Sequence, residues 1–109
     1  MFKRLSQAEF QVMKFIWNEK DIVASKQIIE VMEQKHNWKM TTTLTVLSRI
    51  VNKRFLGTER IKRITHYTIL ITRKEYIQYE TRRFLNDIHS NSLESLFSSL
   101  ENCNIKHKK

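Results

Sequence analysis

Apolar and polar residues follow two different periods along this chain. From Ser6 to Asn18, Phe10, Met13, Ile16 and Trp17 recur at helical spacing. Ahead of them, Ser6-Gln7-Ala8-Glu9 is a capping box, in which the serine accepts from an orphan N–H and the glutamate reaches back. A first helix is therefore predicted from Ser6, fraying near Asn18-Glu19-Lys20-Asp21. A second is predicted from Ser25, whose side chain can cap it, with Ile28, Ile29, Val31 and Met32 as its apolar stripe. His36-Asn37-Trp38 is a polar break. A third helix is predicted from about Thr41 to Arg54. At about 100° per residue, Met40, Leu44, Leu47 and Val51 share one face, with Ile50 at its edge. Thr42, Thr45, Arg49 and Lys53 share the opposite face, with Val46 beside them.

Beyond this point the period shortens. Thr58 to Leu70 is β-branched and partly alternating. Ile61, Ile64, Tyr67, Thr68, Ile69 and Ile71 suit two short strands joined near Lys62-Arg63, although no Asn-Gly or glycine marks the turn. Thr72-Arg73-Lys74-Glu75 is a second capping box, opening a helix to about Ile88 with Ile77, Phe84, Leu85 and Ile88 on its apolar edge. After a break at His89-Ser90-Asn91-Ser92, a last short helix carries Leu93, Leu96, Phe97 and Leu100. The tail, Asn102 to Lys109, is polar and basic and is expected to be disordered.

Three helices, a hairpin and two more helices predict a mainly α chain with a small β-hairpin. Residues 1–72 form a winged helix-turn-helix. Residues 73–109 form a short helical dimerisation arm, because their apolar edges have little domain left to bury against. Ile77, Phe84, Leu85, Ile88, Leu93, Leu96, Phe97 and Leu100 are its candidate contacts.

Charge sharpens this picture. The 109 residues carry a formal charge of +9, with a pI near 9.9, which points to a polyanionic partner. Between Trp38 and Lys74, Lys and Arg fill positions 39, 49, 53, 54, 60, 62, 63, 73 and 74, against a single acid, Glu59. Solvated helix faces usually mix both signs. A basic helix followed by a basic hairpin is what a winged helix presents to DNA. Arg49 is the candidate base reader, since arginine is the commonest reader of guanine. Thr41, Thr42 and Thr45 are candidates for contact with DNA, or for capping and filling; Thr41 is the better cap. Lys39, Lys53, Arg60, Lys62 and Arg63 are candidates for phosphate. The wing cations also suit an edge strand that resists aggregation, and both roles can coexist. Trp17 and Trp38 read as packing residues.

Other chemistry finds no support. No apolar run approaches the roughly 20 residues of a membrane span, and the first residues have no apolar signal core, so a cytoplasmic location and no membrane partner are expected. Cys103 is the single cysteine. Cys103 and His107 make no zinc site without further ligands. His36, His66 and His89 are scattered, and no nucleophile–base pair or glycine-rich phosphate loop is present. Neither catalysis nor a cofactor or metal is expected.

Three stretches carry a family resemblance. Leu5-Ser6-Gln7-Ala8-Glu9-Phe10-Gln11-Val12-Met13-Lys14-Phe15-Ile16-Trp17 is similar to an opening "(I/L)S-x-AEW-x-VM-x-x-(I/L)W". Trp38 to Lys53 is similar to "W-x-x-x-T-(V/I)-x-T-L-L-x-R-L-V-x-K". Arg63-Ile64-Thr65-His66-Tyr67 is similar to the wing pattern "GR-x-(F/Y)-x-Y". The chain thus resembles, over roughly residues 5–100, the BlaI/MecI penicillinase-repressor family, which includes copper-responsive CopY-type members. The resemblance implies a homodimeric transcriptional repressor on a palindromic operator, with Arg49 and the threonines facing the major groove and the wing near backbone or minor groove. Arg54 stands where the family ends its third helix with glycine, and Lys62 where it places the wing-turn glycine. These departures predict a differently built helix end and another turn type. Leu96-Phe97-Ser98-Ser99-Leu100 lacks the family's Asn-Phe cleavage site, and Cys103 alone cannot form its cysteine-rich metal motif. The alternative to a DNA-binding repressor is a winged-helix module that binds an acidic protein partner.

Overall fold

The computed structural model describes residues 3–19 and 22–105. The expected fraying at Lys20-Asp21 and the end of the tail, residues 106–109, lie outside the described residues. The chain falls into two compact units, Met1–Arg73 and Lys74–Lys109.

In the first unit α1 (Gln7–Asn18) is followed by β1 (Val23–Ala24), α2 (Ser25–His36), α3 (Met40–Asn52), β2 (Leu56–Ile61) and β3 (Ile64–Ile69). The three strands form an antiparallel sheet in the order β1-β3-β2. This is a winged helix-turn-helix: α2 and α3 form the helical pair and the β2–β3 hairpin the wing. Ser6 caps α1 as the sequence predicts. Its hydroxyl accepts from the Glu9 N–H at 3.2 Å, and its own N–H donates to the Glu9 carboxylate at 2.8 Å. The Ser25 cap is corrected. Ala24 holds the cap position without a side-chain bond, because it is still extended in β1. That two-residue strand, which pairs Val23 with Tyr67 and Ala24 with His66, is too short to leave a periodic signal. Tyr67 is buried in the wing root, and burial pushes its phenol above the ordinary value.

The core lies between the helices and the sheet. Val12, Met13, Ile16, Ile28, Leu47, Ile50 and Phe55 are completely buried. Phe10, expected on the core face of α1, is exposed and meets Trp17 edge to face at 6.2 Å. The Trp17 indole N–H donates to the Ile71 carbonyl at 3.0 Å, a packing role as expected. The phase of α3 is also corrected. Its buried residues are Thr43, Val46, Leu47 and Ile50, whereas Met40 and Leu44 face outward.

The second unit contains α4 (Arg73–His89) and α5 (Leu93–Asn102). Ser90 and Asn91 turn the chain through two consecutive positive-φ residues. Ser92 caps α5 by accepting from the Ser95 N–H. The buried His89 ring meets the Ser95 hydroxyl at 2.8 Å, clipping the two helices together. Ile77, Phe84, Ile88, Leu93, Phe97 and Leu100 are exposed, while Leu85 and Leu96 are half-buried. The tail was expected to be disordered from Asn102. Instead Asn102 ends α5, and a Schellman cap continues the order through 105. In it Asn104 is left-handed and donates to Glu101, and the Ile105 N–H donates to Leu100.

Candidate nucleic-acid interface

The outward face of α3 comes from its sequence in two ways. The buried set fixes the rotation, so Thr41, Thr42, Leu44, Thr45, Ser48, Arg49 and Asn52 are all exposed. The helix start is open. Lys39 holds the cap position with no side-chain bond, and the first turn carries no acid. The first N–H groups of a helix have no internal partner and sit at the positive end of its dipole, which suits an anion. Thr41, Thr42, Thr45, Val46 and Arg49 line a shallow depression of about 290 Å³. The Thr45 hydroxyl donates back to the Thr41 carbonyl at 2.9 Å. Its proton is therefore committed, and only its lone pairs and its methyl group remain for an outside partner. Arg49 is exposed, with no side-chain partner among the described residues.

Lys53 is placed differently from the rest. Its ammonium donates to the Glu9 carboxylate at 2.5 Å and to the Arg4 carbonyl at 2.8 Å. Glu9 is only 2% exposed. Burial pushes its carboxyl up, but the Lys53 bond, the Ser6 N–H, the Lys53 charge and the Ser6 hydroxyl together hold it below its ordinary value. The expectation of a phosphate-facing Lys53 is therefore corrected: this cation ties the end of α3 to the start of α1.

The end of α3 also corrects the sequence reading. Arg54 is left-handed, with φ 64°. Its N–H donates to Val51, and the Phe55 N–H donates to Ile50. These two bonds make a Schellman motif with arginine in the place that glycine favours. Phe55 and Ile50 are both fully buried, which supplies the motif's apolar contact.

The wing repeats this substitution. Ile61 pairs with Ile64, so Lys62-Arg63 is a two-residue turn. Both residues have positive φ, 51° and 69°, as a type I′ hairpin turn requires. The turn type expected of a glycine-bearing turn is thus kept, with cations in it. Arg60 helps to hold it, its guanidinium donating to the Arg63 carbonyl at 2.8 Å. Arg60, Lys62 and Arg63 are all exposed on the wing.

The structure thus gathers Thr41, Thr42, Thr45 and Arg49 on one face of α3, puts Lys39 at its start and keeps Arg60, Lys62 and Arg63 on the wing. Sequence reasoning missed the open helix start, for which the signal was a lysine at the cap position with no acid in the following turn. No group of three or more His, Cys, Asp or Glu side chains among the described residues is arranged to hold a metal ion. No helix among them is long and apolar enough to cross a membrane.

Fold and surface together define a winged-helix protein of the DNA-binding class. The sequence profile of the penicillinase repressor matches residues 5–108, and the chain belongs to that family. This places it among transcriptional repressors rather than enzymes. The penicillinase repressor of Bacillus licheniformis is 31% identical over 100 residues, spanning 91% of this chain and 77% of that protein. The methicillin resistance regulatory protein MecI of Mammaliicoccus sciuri is 29% identical, spanning 84% of this chain and 74% of that one. The solution structure of the DNA-binding domain of the repressor BlaI superposes with a TM-score of 0.62 at 29% identity, covering 70% of this chain and 94% of that domain. The monomeric form of Bacillus licheniformis BlaI in complex with the blaP half-operator superposes with a TM-score of 0.59 at 29% identity, covering 70% of this chain and 92% of that one.

Proposed function

We propose that this chain represses transcription by occupying a palindromic operator in duplex DNA as a homodimer. The observation that carries the reading is the outward face of α3, where hydroxyl groups and an arginine with no side-chain partner among the described residues line a shallow depression that has no acid in its lining. In this reading α3 enters the major groove. Arg49 donates to guanine, and Thr41, Thr42 and Thr45 contact base edges or adjacent backbone. Lys39 and the open start of α3 meet one phosphate run, and Arg60, Lys62 and Arg63 on the wing meet another. Lys53 is left out, because Glu9 holds it. The half-operator complex of the Bacillus licheniformis relative supports the assignment. The exposed apolar residues of α4 and α5 pair two protomers, so that two half-sites are read together. Such a role places the protein in the cytoplasm, with the DNA it controls.

Fluorescence anisotropy across a salt series tests this, comparing duplex from the gene's own upstream region with a scrambled duplex. A preference of about 10³-fold or more is expected. Arg49→Ala should erase that preference, whereas Lys62→Ala should weaken both duplexes alike. Uniform losses from both substitutions would reject this division of labour. No binding at low salt would reject the DNA reading and favour an acidic protein partner.

A further inference from the structure

Met40 and Leu44 are the large apolar side chains that α3 leaves uncovered, 56% and 39% exposed, while Leu47 and Ile50 on the same helix are completely buried. A single exposed leucine is ordinary and needs no explanation. These two are set in a particular place. Residues four apart on a helix are neighbours, so Met40, Leu44 and Ser48 form one row, and Thr41, Thr45 and Arg49 form the row beside it. The second row lines the shallow depression on α3. An apolar strip thus runs along a face otherwise made of hydroxyls and cations. Two side chains flanked by Lys39 and Arg49 are too few and too charged in their surroundings for a protein–protein core. In the major groove, however, one apolar group is displayed by a base pair, the C5-methyl of thymine.

We propose that Leu44, with Met40 beside it, is a specificity-determining residue that packs against thymine methyl groups in the operator. The proposal rests on the reading of α3 as the helix that enters the major groove. Leu44 lies in the N-terminal half of α3, the part of a recognition helix that reaches base edges. It offers a larger apolar surface than the single methyl groups of Thr41, Thr42 and Thr45 on the same face. The hydroxyls and the guanidinium select hydrogen-bonding edges, whereas Leu44 selects a methyl group at the same depth. Each methyl buried in this way is expected to tighten binding about fourfold.

Uracil pairs as thymine does and lacks only the methyl group, so it isolates the contact. A duplex enriched from a random pool by the full-length protein is prepared with thymine or with uracil throughout, and both forms are titrated by anisotropy. The unaltered protein should prefer the thymine duplex by about fourfold for each contacted methyl. Leu44→Ala should keep its circular dichroism spectrum, bind the uracil duplex like the unaltered protein, and lose most of the preference. Equal affinity of the unaltered protein for the two duplexes would overturn the proposal while leaving the repressor reading intact. A preference that survives in Leu44→Ala but falls in Thr45→Ser would assign the contact to the threonine methyl and overturn it too. If no duplex is enriched or bound at low salt, the parent reading falls and this one with it.

Discussion

Lys53 shows how one side chain can leave the DNA-facing inventory without leaving its helix face. Its sequence position matches a phosphate contact, yet its ammonium is held by Glu9 and the Arg4 carbonyl. The Glu9 carboxyl lies below its ordinary value of 4.5. A carboxylate of lowered pKa contributes its full stability above the ordinary value and loses it as pH falls through the folded one. Urea midpoints of the unaltered protein should therefore hold steady from neutral pH down to about 5 and drop below about 4.5, the acid loss being smaller in Lys53→Met. At neutral pH, Lys53→Met should cost about 2 kcal/mol, because it leaves a buried carboxylate unpaired. Its slope of log affinity against log salt should match the unaltered protein, whereas Lys62→Ala should reduce that slope by about 0.9. A reduced slope in Lys53→Met would return the lysine to the DNA contacts. Thr43 makes a second local case. Its hydroxyl is completely buried with no hydrogen-bond partner among the described residues. Thr43→Val keeps the shape and removes the stranded group, so melting should show a gain of about 1 kcal/mol with duplex affinity unchanged. A lower melting temperature would mean that the hydroxyl has a partner after all.

The helices of the winged domain could be read from their apolar spacing, and the caps of α1 from four residues. What misled was the rotation of α3. Met40 and Leu44 are apolar and outward, and Thr43 is polar and inward, so a periodic count turned the helix by about one residue. Apolar spacing records only that a side chain avoids water, not whether the core or an outside partner covers it. The candidate site survived that error because Thr42, Thr45 and Arg49 are far enough round the helix to stay exposed in either phase. β1 was invisible because its two residues gain their extended form from pairing with β3. The end of α3 and the wing turn were misjudged for a different reason. Left-handed backbone without glycine costs about 1–2 kcal/mol per residue, which argued for another geometry. The structure keeps the geometry and fills it with Arg54, Lys62 and Arg63. Arg54→Gly should therefore stabilise the chain by about 1 kcal/mol in urea. Lys62→Asn with Arg63→Gly should stabilise the hairpin by a similar amount. Loss of stability in either would show that the cations hold these corners through contacts of their own.

For the protein as a whole, the two units divide the proposed work between reading DNA and joining protomers. Introducing a charge into the exposed apolar face of the second unit should separate the two. Phe97→Glu should shift the protein towards monomer in sedimentation and weaken binding to a two-half-site operator by tenfold or more. Its affinity for an isolated half-site should hardly change, because the linked second site contributes through effective concentration. Equal losses on both duplexes would remove α5 from the dimer interface. The left-handed corners of the chain bear on its prospects under selection. Seven non-glycine residues have positive φ among the described residues, and three of them, Arg54, Lys62 and Arg63, are cations. A population screened for heat resistance alone would find glycine or asparagine at those three positions within a single mutational step or two, and, with Lys62 and Arg63 meeting phosphate as proposed, would drift towards a sturdier chain with less grip on nucleic acid. Screened for operator occupancy, the same population would be held where it is.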